Sequence, residues 1–486
     1  MAALAEGFDT VIGLEVHCEL ATATKLFCAC PNSFGSEPNS NVCPVCLGLP
    51  GSLPVLNRRA VELAMRIGQA LGCEIRPSVF HRKNYFYPDM PKDYQVSQYD
   101  EPINVGGRLA LPDGSSVGIV RAHMEEDTGK TSHVGESGRI HGASHSLVDY
   151  NRAGVPLVET VSEPEISSAE QARAYVSELR AILVATEASD GRMEEGSLRV
   201  DANVSLKPVG STELGTRCEV KNLNSLRSLV RAIEYESARQ AELLNAGGKV
   251  VQETRHWDEA AGVTHSLRSK EEAYDYRYFP EPDLVPVVPD EALRRAAAEG
   301  VGVMPIERRR RLSDLLGLDA ALPLAGPVGD QIQTVIELDL DPLVLEAVAQ
   351  GADARLSLAR AANEAAARPE GARGLDAAAF AVLVGLEAAG TLSATQSKTV
   401  LAELIESGGD PTEIARRLGF EALEESELDT VVAEVIAANP AEWERYSAGE
   451  EKLAGFFLGK VMRSTSGRAN GKLVAEALAK RRAGGS

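Results

Sequence analysis

The feature that most constrains this chain is a two-residue alternation that recurs in four separate segments. In Ile12–Leu20, the apolar residues are Ile12, Leu14, Val16, Cys18 and Leu20, and Glu15, His17 and Glu19 lie between them. Side chains two apart on a β-strand point the same way, so one set faces a core and the other projects together. Val120–Asp127 repeats the pattern, with Val120, Ala122 and Met124 set against Arg121, His123, Glu125 and Asp127. Ser197–Leu206 sets Leu198, Val200, Ala202, Val204 and Leu206 against Arg199, Asp201 and Asn203. In Thr216–Asn222, Arg217, Glu219 and Lys221 share the face opposite Cys218 and Val220. The expectation is an antiparallel sheet with one apolar and one polar face.

A single strand of this kind is explained by a solvated outer face. Four strands that repeat Glu, His, Asp and Asn beside Arg and Lys point instead to a site. Mg²⁺ takes oxygen ligands from one or two carboxylates plus substrate phosphates, and Arg and Lys stabilise a phosphoryl group in transfer. The usual nucleotide loop is missing. Gly129-Lys130-Thr131 resembles the end of a P-loop, but Met124 stands where its first Gly belongs. ATP would therefore be held on a carboxylate-lined sheet.

Four of the seven cysteines, Cys28, Cys30, Cys43 and Cys46, form two short knuckles joined by a loop. Four soft ligands this close point to a structural zinc ion in a zinc-ribbon-like insertion over residues 28–46, with no coordination position left for catalysis. Buried free thiols or a redox pair are the alternatives. Pro44 and Gly48 suit a tight turn, and Lys25 offsets thiolate charge. Cys18, Cys73 and Cys218 fall on or near apolar patterns and read as core.

A chain of 486 residues exceeds one ordinary core. Every histidine occurs by His265 and every cysteine by Cys218, and beyond about Pro289 the sequence turns rich in Ala, Leu, Glu and Arg, as in successive helices. Pro369 and Gly371 mark a break between helices. Gly408, Gly409 and Asp410-Pro411 mark another, with Asp410 as N-cap. Three domains are expected: 1–290 mixed α/β, 291–408 helical, and 409–486 a small helical tail. The basic run Arg308–Arg311 reads as a solvated helix face.

A formal charge of −21 argues against non-specific nucleic-acid binding, yet residues 451–486 carry eight Lys/Arg and two Glu. That basic end reads equally as a solvated tail or as a phosphate-contacting one. MAALAEGFDT has no basic n-region, and no apolar run reaches the length of a membrane span, so a cytoplasmic protein without membrane contact is expected.

Longer motifs carry a resemblance. Ile12-Gly13-Leu14-Glu15-Val16-His17, Lys83-Asn84-Tyr85-Phe86-Tyr87-Pro88-Asp89, His123-Met124-Glu125-Glu126-Asp127, Met193-Glu194-Glu195-Gly196-Ser197-Leu198-Arg199, Val220-Lys221-Asn222-Leu223-Asn224-Ser225 and Asp275–Asp283 resemble the B subunit of the aspartyl/glutamyl-tRNA(Asn/Gln) amidotransferase. So do Gly459-Lys460-Val461-Met462 and Gly467-Arg468-Ala469-Asn470 near the end.

The resemblance implies an α+β protein: a cradle domain with a glutamine-synthetase-like antiparallel sheet, then an all-helical domain and a small tail domain that contacts tRNA. It also implies a ligase reaction. ATP phosphorylates the side-chain carboxylate of misacylated Glu-tRNA(Gln) or Asp-tRNA(Asn). Ammonia, made from glutamine by a partner amidase (glutaminase) and delivered through a tunnel, then displaces phosphate. A small third protein ties the heterotrimer together.

Glu15, His17 and Glu125 match the family's Mg²⁺-site motifs. Strand geometry adds Asp201 and Glu219 as catalytic candidates, and Asn203 beside them. Lys83, Arg199, Arg217 and Lys221 are the nucleotide or phosphate candidates, and Lys460, Arg463, Arg468 and Lys472 the tRNA-phosphate candidates. Some relatives lack the four cysteines, so zinc is not required for the chemistry. Tyr85-Phe86-Tyr87 is read as a packed loop before a base-stacking one.

Two other functions compete. One is a zinc-ribbon tRNA-binding or assembly protein with a purely structural carboxylate face, which nucleotide-dependent phosphate release would separate from the enzyme. The other is a self-sufficient glutamine-dependent ligase, disfavoured because neither an amidase-like Gly-Ser-rich nucleophile segment nor a Cys-His pairing is evident.

Overall fold

The computed structural model describes residues 7–135, 143–269, 276–318, 326–420, 425–465 and 471–484. Asp275, Gly467, Arg468, Ala469 and Asn470 therefore lie outside the described residues, as does the side chain of Lys472. The chain divides into two compact units, residues 1–307 and 308–486.

The first unit is built on one large sheet. Its strands begin with β1 (Phe8–Glu19), β2 (Glu74–Ile75), β3 (Val79–Asn84), β4 (Tyr94–Glu101), β5 (Asn104–Val105), β6 (Arg108–Ala110) and β7 (Ser116–Glu126). A separate hairpin, β8 (Lys130–Val134) with β9 (His145–Asp149), follows. The sheet resumes with β10 (Pro156–Ser162), β11 (Leu198–Pro208), β12 (Cys218–Leu223), β13 (Glu253–Asp258), β14 (Val263–Ser269) and β15 (Phe279–Pro280). Their order is β14-β13-β12-β11-β1-β10-β7-β4-β3-β15.

The four alternating segments are thus β1, β7, β11 and β12, and β1 runs between β11 and β10. The sheet is mixed rather than antiparallel throughout. The pair β12–β13 is parallel, and the crossover helix α3 (Leu226–Asn245) between them supplies the long connection that a parallel pair needs.

Helices α1 (Arg58–Ala70), α2 (Ala169–Ala185) and α3 cover the apolar face. Ile12, Leu14, Val16 and Cys18 of β1 and Leu198, Val200, Ala202 and Val204 of β11 are buried there with Leu63, Tyr175 and Leu229 of the three helices. Asn57, Ser168 and Ser225 cap these helices by accepting hydrogen bonds from first-turn N–H groups. Helix α4 (Glu291–Glu299) adds Leu293 and Ala297 to the same core, so the first unit continues past the composition change near Pro289.

Beyond α4 every described element is helical. The helices are α5 (Pro305–Leu315), α6 (Gly326–Glu337), α7 (Asp341–Ala349), α8 (Ala354–Asn363), α9 (Pro369–Arg373), α10 (Ala377–Ala388), α11 (Ala394–Ser407) and α12 (Pro411–Arg417), then α13 (Glu425–Ala437), α14 (Pro440–Ser447), α15 (Leu453–Ser464) and α16 (Gly471–Gly484). Pro369 opens α9, and Asp410 caps α12 by accepting from Thr412 N–H and Glu413 N–H at 2.7 and 3.2 Å. Helix α12 packs on α10 and α11. Leu428, Val432, Tyr446, Phe457, Val461, Val474 and Leu478 of α13–α16 form a core of their own.

The run Arg308–Arg311 is not a solvated face. Arg308 and Arg309 are buried, and only Arg310 and Arg311 are exposed. Arg308 donates to Asp341, 2.9 Å from Nε to Oδ2, and to Asp339 at 2.6 Å, while Arg309 reaches Gln333 at 2.7 Å. An arginine run shows no helical stripe by itself, so the buried side was not readable from charge. Removing one partner of a buried ion pair leaves the other desolvated and unpaired. Arg308→Met is therefore expected to destabilise the second unit by about 3 kcal/mol or more, as read by denaturant unfolding of the parent and the variant.

Candidate active site

Register aligns the polar residues into rows across the sheet. His17 pairs with Arg199 on β11 and with Glu159 on β10, and Glu159 pairs with His123 on β7. The row is thus Arg199, His17, Glu159 and His123. Glu15 opposes Asp201, Asn203 opposes Glu219, and Ser97 of β4 opposes Glu125.

His17 Nε2 lies 3.6 Å from Glu125 Oε1 and 3.9 Å from Glu159 Oε2. One ligand atom from each of His17, Glu125 and Glu159 lies within 4.8 Å of the others. His123 Nε2 is 3.2 Å from Glu159. Burial alone would raise the Glu159 carboxyl, but His123, His17 and Arg121 outweigh it and hold the group well below the usual carboxylate range. Two carboxylates and an imidazole in this arrangement offer a divalent ion part of its shell and leave the rest to water or phosphate oxygens.

Of the expected metal ligands, His17 and Glu125 are brought together. Glu15 stands next along β1, where its Oε1 accepts from Asn203 Nδ2 at 3.0 Å. Its carboxyl is raised by burial and by the neighbouring Glu159 and Glu219. Glu159 is the residue that sequence reasoning missed. Its strand, Pro156–Ser162, reads as a buried run with one acid, so no alternation marks it.

A solvated face would leave these carboxylates in water. Instead Glu125 is 6% and His123 0% exposed. Tyr99 packs edge-on to His123, ring centroids 6.4 Å apart, and stacks on Tyr278 at 5.0 Å. Burial, with the Glu125 charge next in weight, pushes the Tyr278 phenol up and keeps it neutral.

The cation candidates differ in what they hold. Arg199 grips Asp127 through both nitrogens, at 3.2 and 2.6 Å, and Arg152 adds a contact at 3.3 Å. Lys221 spans Asp201 at 2.7 Å and Glu219 at 3.0 Å, and Glu219 also accepts from Thr254 at 2.8 Å. Burial disfavours the Lys221 charge, but the two carboxylates outweigh this and raise its pKa. Lys83 lies with its Nζ 4.8 Å over the Tyr276 ring, and Arg217 is exposed. Tyr85 stacks on Tyr87 at 4.9 Å within its loop, while Phe86 is exposed.

The four cysteine sulfurs also converge, all within 4.8 Å. A tetrahedral ion with bonds of about 2.3 Å sets sulfurs roughly 3.8 Å apart, and Cys43 Sγ lies 3.9 Å from Cys46 Sγ. The hydrogen bond between Cys28 and Cys46 lowers the Cys46 thiol and raises that of Cys28, with buried Lys25 helping to hold Cys46 down. Gly48, at φ +65°, makes the turn after the second knuckle, where a Cβ would strike the Lys92 side chain at 2.4 Å. The intervening loop docks on the β8–β9 hairpin. Asn39 N–H donates to Asp149 Oδ1 at 2.9 Å, Asn41 N–H donates to Asn151 Oδ1 at 2.7 Å, and Asn151 Nδ2 donates to Glu37 O at 2.7 Å. Cys18 and Cys218 are buried, and Cys73 packs at the core edge with its thiol donating to Gly106 O at 2.7 Å.

Protein purified without added metal is expected to carry about one zinc equivalent. Cys46→Ser should lower that content several-fold by elemental analysis. Full thiol titration of the folded parent, with no metal found, would be the contrary result.

Two family descriptions match the chain: "GatB/GatE catalytic domain" over residues 10–295 and "GatB domain" over residues 346–481. Proteins named as the B subunit of aspartyl/glutamyl-tRNA(Asn/Gln) amidotransferase are similar along almost their whole length. That of Anaeromyxobacter sp. (strain Fw109-5) is 48% identical over 98% of this chain and 99% of its own. That of Moorella thermoacetica is 47% identical, with the same coverage of 98% and 99%. That of Mycobacterium tuberculosis is 47% identical over 96% of this chain and 94% of its own. With its sheet, its converging carboxylates and its full-length similarity, the chain belongs to the B-subunit family of the aspartyl/glutamyl-tRNA(Asn/Gln) amidotransferases.

Proposed function

We propose that this chain is the ATP-using, tRNA-binding component of a tRNA-dependent amidotransferase, a carbon–nitrogen ligase with glutamine as amide donor. The carrying observation is the convergence of His17, Glu125 and Glu159 within 4.8 Å on a largely buried polar face. His17, Glu125 and Glu159 would hold Mg²⁺ there, and the ion would supply charge neutralisation for the phosphoryl group.

Glu15, Asp201 and Glu219 lie on the same face to one side of that centre, on β1, β11 and β12. The side-chain carboxylate of the glutamyl or aspartyl group on tRNA is the acceptor, and the acyl phosphate it becomes is the electrophile that ammonia attacks. A partner amidase supplies the ammonia, and a small third protein completes the assembly. The relatives are named as one subunit of an amidotransferase, which supports a multi-subunit arrangement. A glutamine-synthetase-like cradle over about 1–290 is the matching reading of the large sheet, with a helical domain to about 408 and a tail beyond it. Zinc at the four cysteines is structural. No helix among the described residues is long and apolar enough to cross a membrane, and the reaction is assigned to the cytoplasm, where misacylated tRNA is made.

The decisive test assays the assembled enzyme on misacylated tRNA with ATP. Glu125→Gln and Glu159→Gln should each lower ATP cleavage and amide formation by about 100-fold or more, and chelation of divalent ions should do the same to the parent. Full activity in a folded Glu125→Gln protein would refute the metal-centre reading.

The tail assignment has a separate test. Helices α13–α16 have their own core, so deletion of residues 421–486 leaves α10–α12 intact. In that truncation the KM for tRNA should rise, and the fall of affinity with salt should become shallower, because phosphate contacts by residues such as Lys460 and Arg463 release counterions. An unchanged KM and salt slope would assign tRNA binding elsewhere.

A further inference from the structure

The cations on the polar face fall into two classes. Arg199 and Lys221 are each held by carboxylates. Arg121 is different. Its guanidinium carbon lies 4.7 Å from the centroid of the Tyr99 ring. No hydrogen bond or ion pair to it is found among the described residues, and its Nε is buried without a partner. A guanidinium does not lose its proton, so this is a permanent, half-buried positive charge with its donors unspent.

Its position is specific. Arg121 shares the face of β7 with His123 and Glu125. The pairing of Ser97 with Glu125 puts Tyr99 alongside His123, as their ring contact at 6.4 Å bears out. A guanidinium lying over Tyr99 is thereby drawn along the sheet toward the His17–Glu125–Glu159 centre. The row of rings continues from Tyr99, stacked on Tyr278 at 5.0 Å, to Tyr276, edge-on to Tyr278 at 6.2 Å, with Lys83 over Tyr276 at 4.8 Å. The planar Tyr99 ring orients the guanidinium, which acts on the Glu159 carboxylate only through space, and no carboxylate among the described residues takes its N–H donors. A planar fork of N–H donors held this way suits a phosphoryl group, whose oxygens it can engage in pairs.

We propose that Arg121 is the residue that grips the phosphoryl group during its transfer at the His17–Glu125–Glu159 centre, positioned by Tyr99, with Lys83 as a second cation at the far end of the tyrosine row. This deepens the proposed function and rests on it. The bond from the γ-phosphorus of ATP to the bridging oxygen breaks, and that oxygen leaves with ADP. A new bond forms from the phosphorus to a side-chain carboxylate oxygen of the aminoacyl group. Arg121 neither gives nor takes a proton. It offsets charge on the equatorial oxygens, a contribution greatest where the phosphoryl is between the two oxygens.

The experiment uses the assembled enzyme with misacylated tRNA and ATP, glutamine omitted, and follows ADP formation. Arg121→Gln is expected to lower kcat about 100-fold, with the KM for tRNA within about three-fold of the parent. Arg121→Lys keeps the charge without the fork and should recover part of the loss, to about ten-fold below the parent. Tyr99→Ala should show an intermediate loss in kcat. Thermal melting establishes that each variant is folded; if Arg121→Gln is not, the Arg121→Lys loss carries the test.

Parent-like kcat in a folded Arg121→Gln or Arg121→Lys protein overturns the assignment. So does an effect confined to the KM for tRNA, which would make Arg121 a contact for a tRNA phosphate. If the parent itself forms no ADP in response to misacylated tRNA, the phosphorylation reading fails and the Arg121 assignment fails with it. An active parent with an unaffected variant removes the Arg121 assignment alone.

Discussion

The register of β1 against its two neighbours is the constraint on which the site depends. Pairing runs from Phe8 opposite Pro208 to Cys18 opposite Leu198 on one side, and from Glu15 opposite Val161 to Glu19 opposite Leu157 on the other. It places His17 between Arg199 and Glu159, and the register of β10 against β7 then brings Glu125 to the same centre. A slip of one residue would turn Glu15, His17 and Glu19 into the core and Leu14, Val16 and Cys18 out of it. The fully buried Ile12, Leu14 and Val16, packed against α1–α3, make that slip costly. Stability on one face of the strand thereby fixes geometry on the other.

Charge balance is the second constraint. The chain is strongly acidic overall, yet the acids on this face are matched locally. Asp127 is held by Arg199 and Arg152, and Asp201 and Glu219 share Lys221. Carboxylates can be enclosed here because partners lie within hydrogen-bond distance; unpaired, they would either protonate or open the site to water. Glu15 shows the opposite balance. It has Asn203 as its hydrogen-bond donor, and burial together with the acidic neighbours raises its carboxyl.

How much of this was legible depends on whether the signal is local. Period-two alternation is local, so β1, β7, β11 and β12 and the direction of their polar side chains could be read directly. Glu159 could not, because β10 is buried on both sides and its single acid acquires meaning only when the register sets it between His17 and His123. The parallel pairing of β12 with β13 depends on where α3 returns the chain, which no strand pattern encodes. The cap at Asp410 was legible because its hydrogen bonds span two and three residues. The burial of Arg308 was not, since its partners Asp339 and Asp341 belong to another helix and the turn before it. Closure of the β7 face by Tyr99 and Tyr278 joins residues far apart in the chain, so the burial of His123 and Glu125 could not be read from strand alternation.

The loop between the two cysteine knuckles has one further consequence. Asn39 and Asn41 tie it to Asp149 and Asn151, at the base of the β8–β9 hairpin, through backbone and amide hydrogen bonds. The hairpin is a two-stranded ribbon outside the large sheet, and such a ribbon has little stability of its own. Part of its footing is therefore borrowed from the loop, beside the contacts of Gly129 N–H with Asp89 O and of the Tyr150 hydroxyl with Pro88 O, and the loop's shape is tied to the four sulfurs at its ends. Oxidation of those thiols would reach the hairpin as mechanical slack, leaving β1, β10 and the chemistry between them in place.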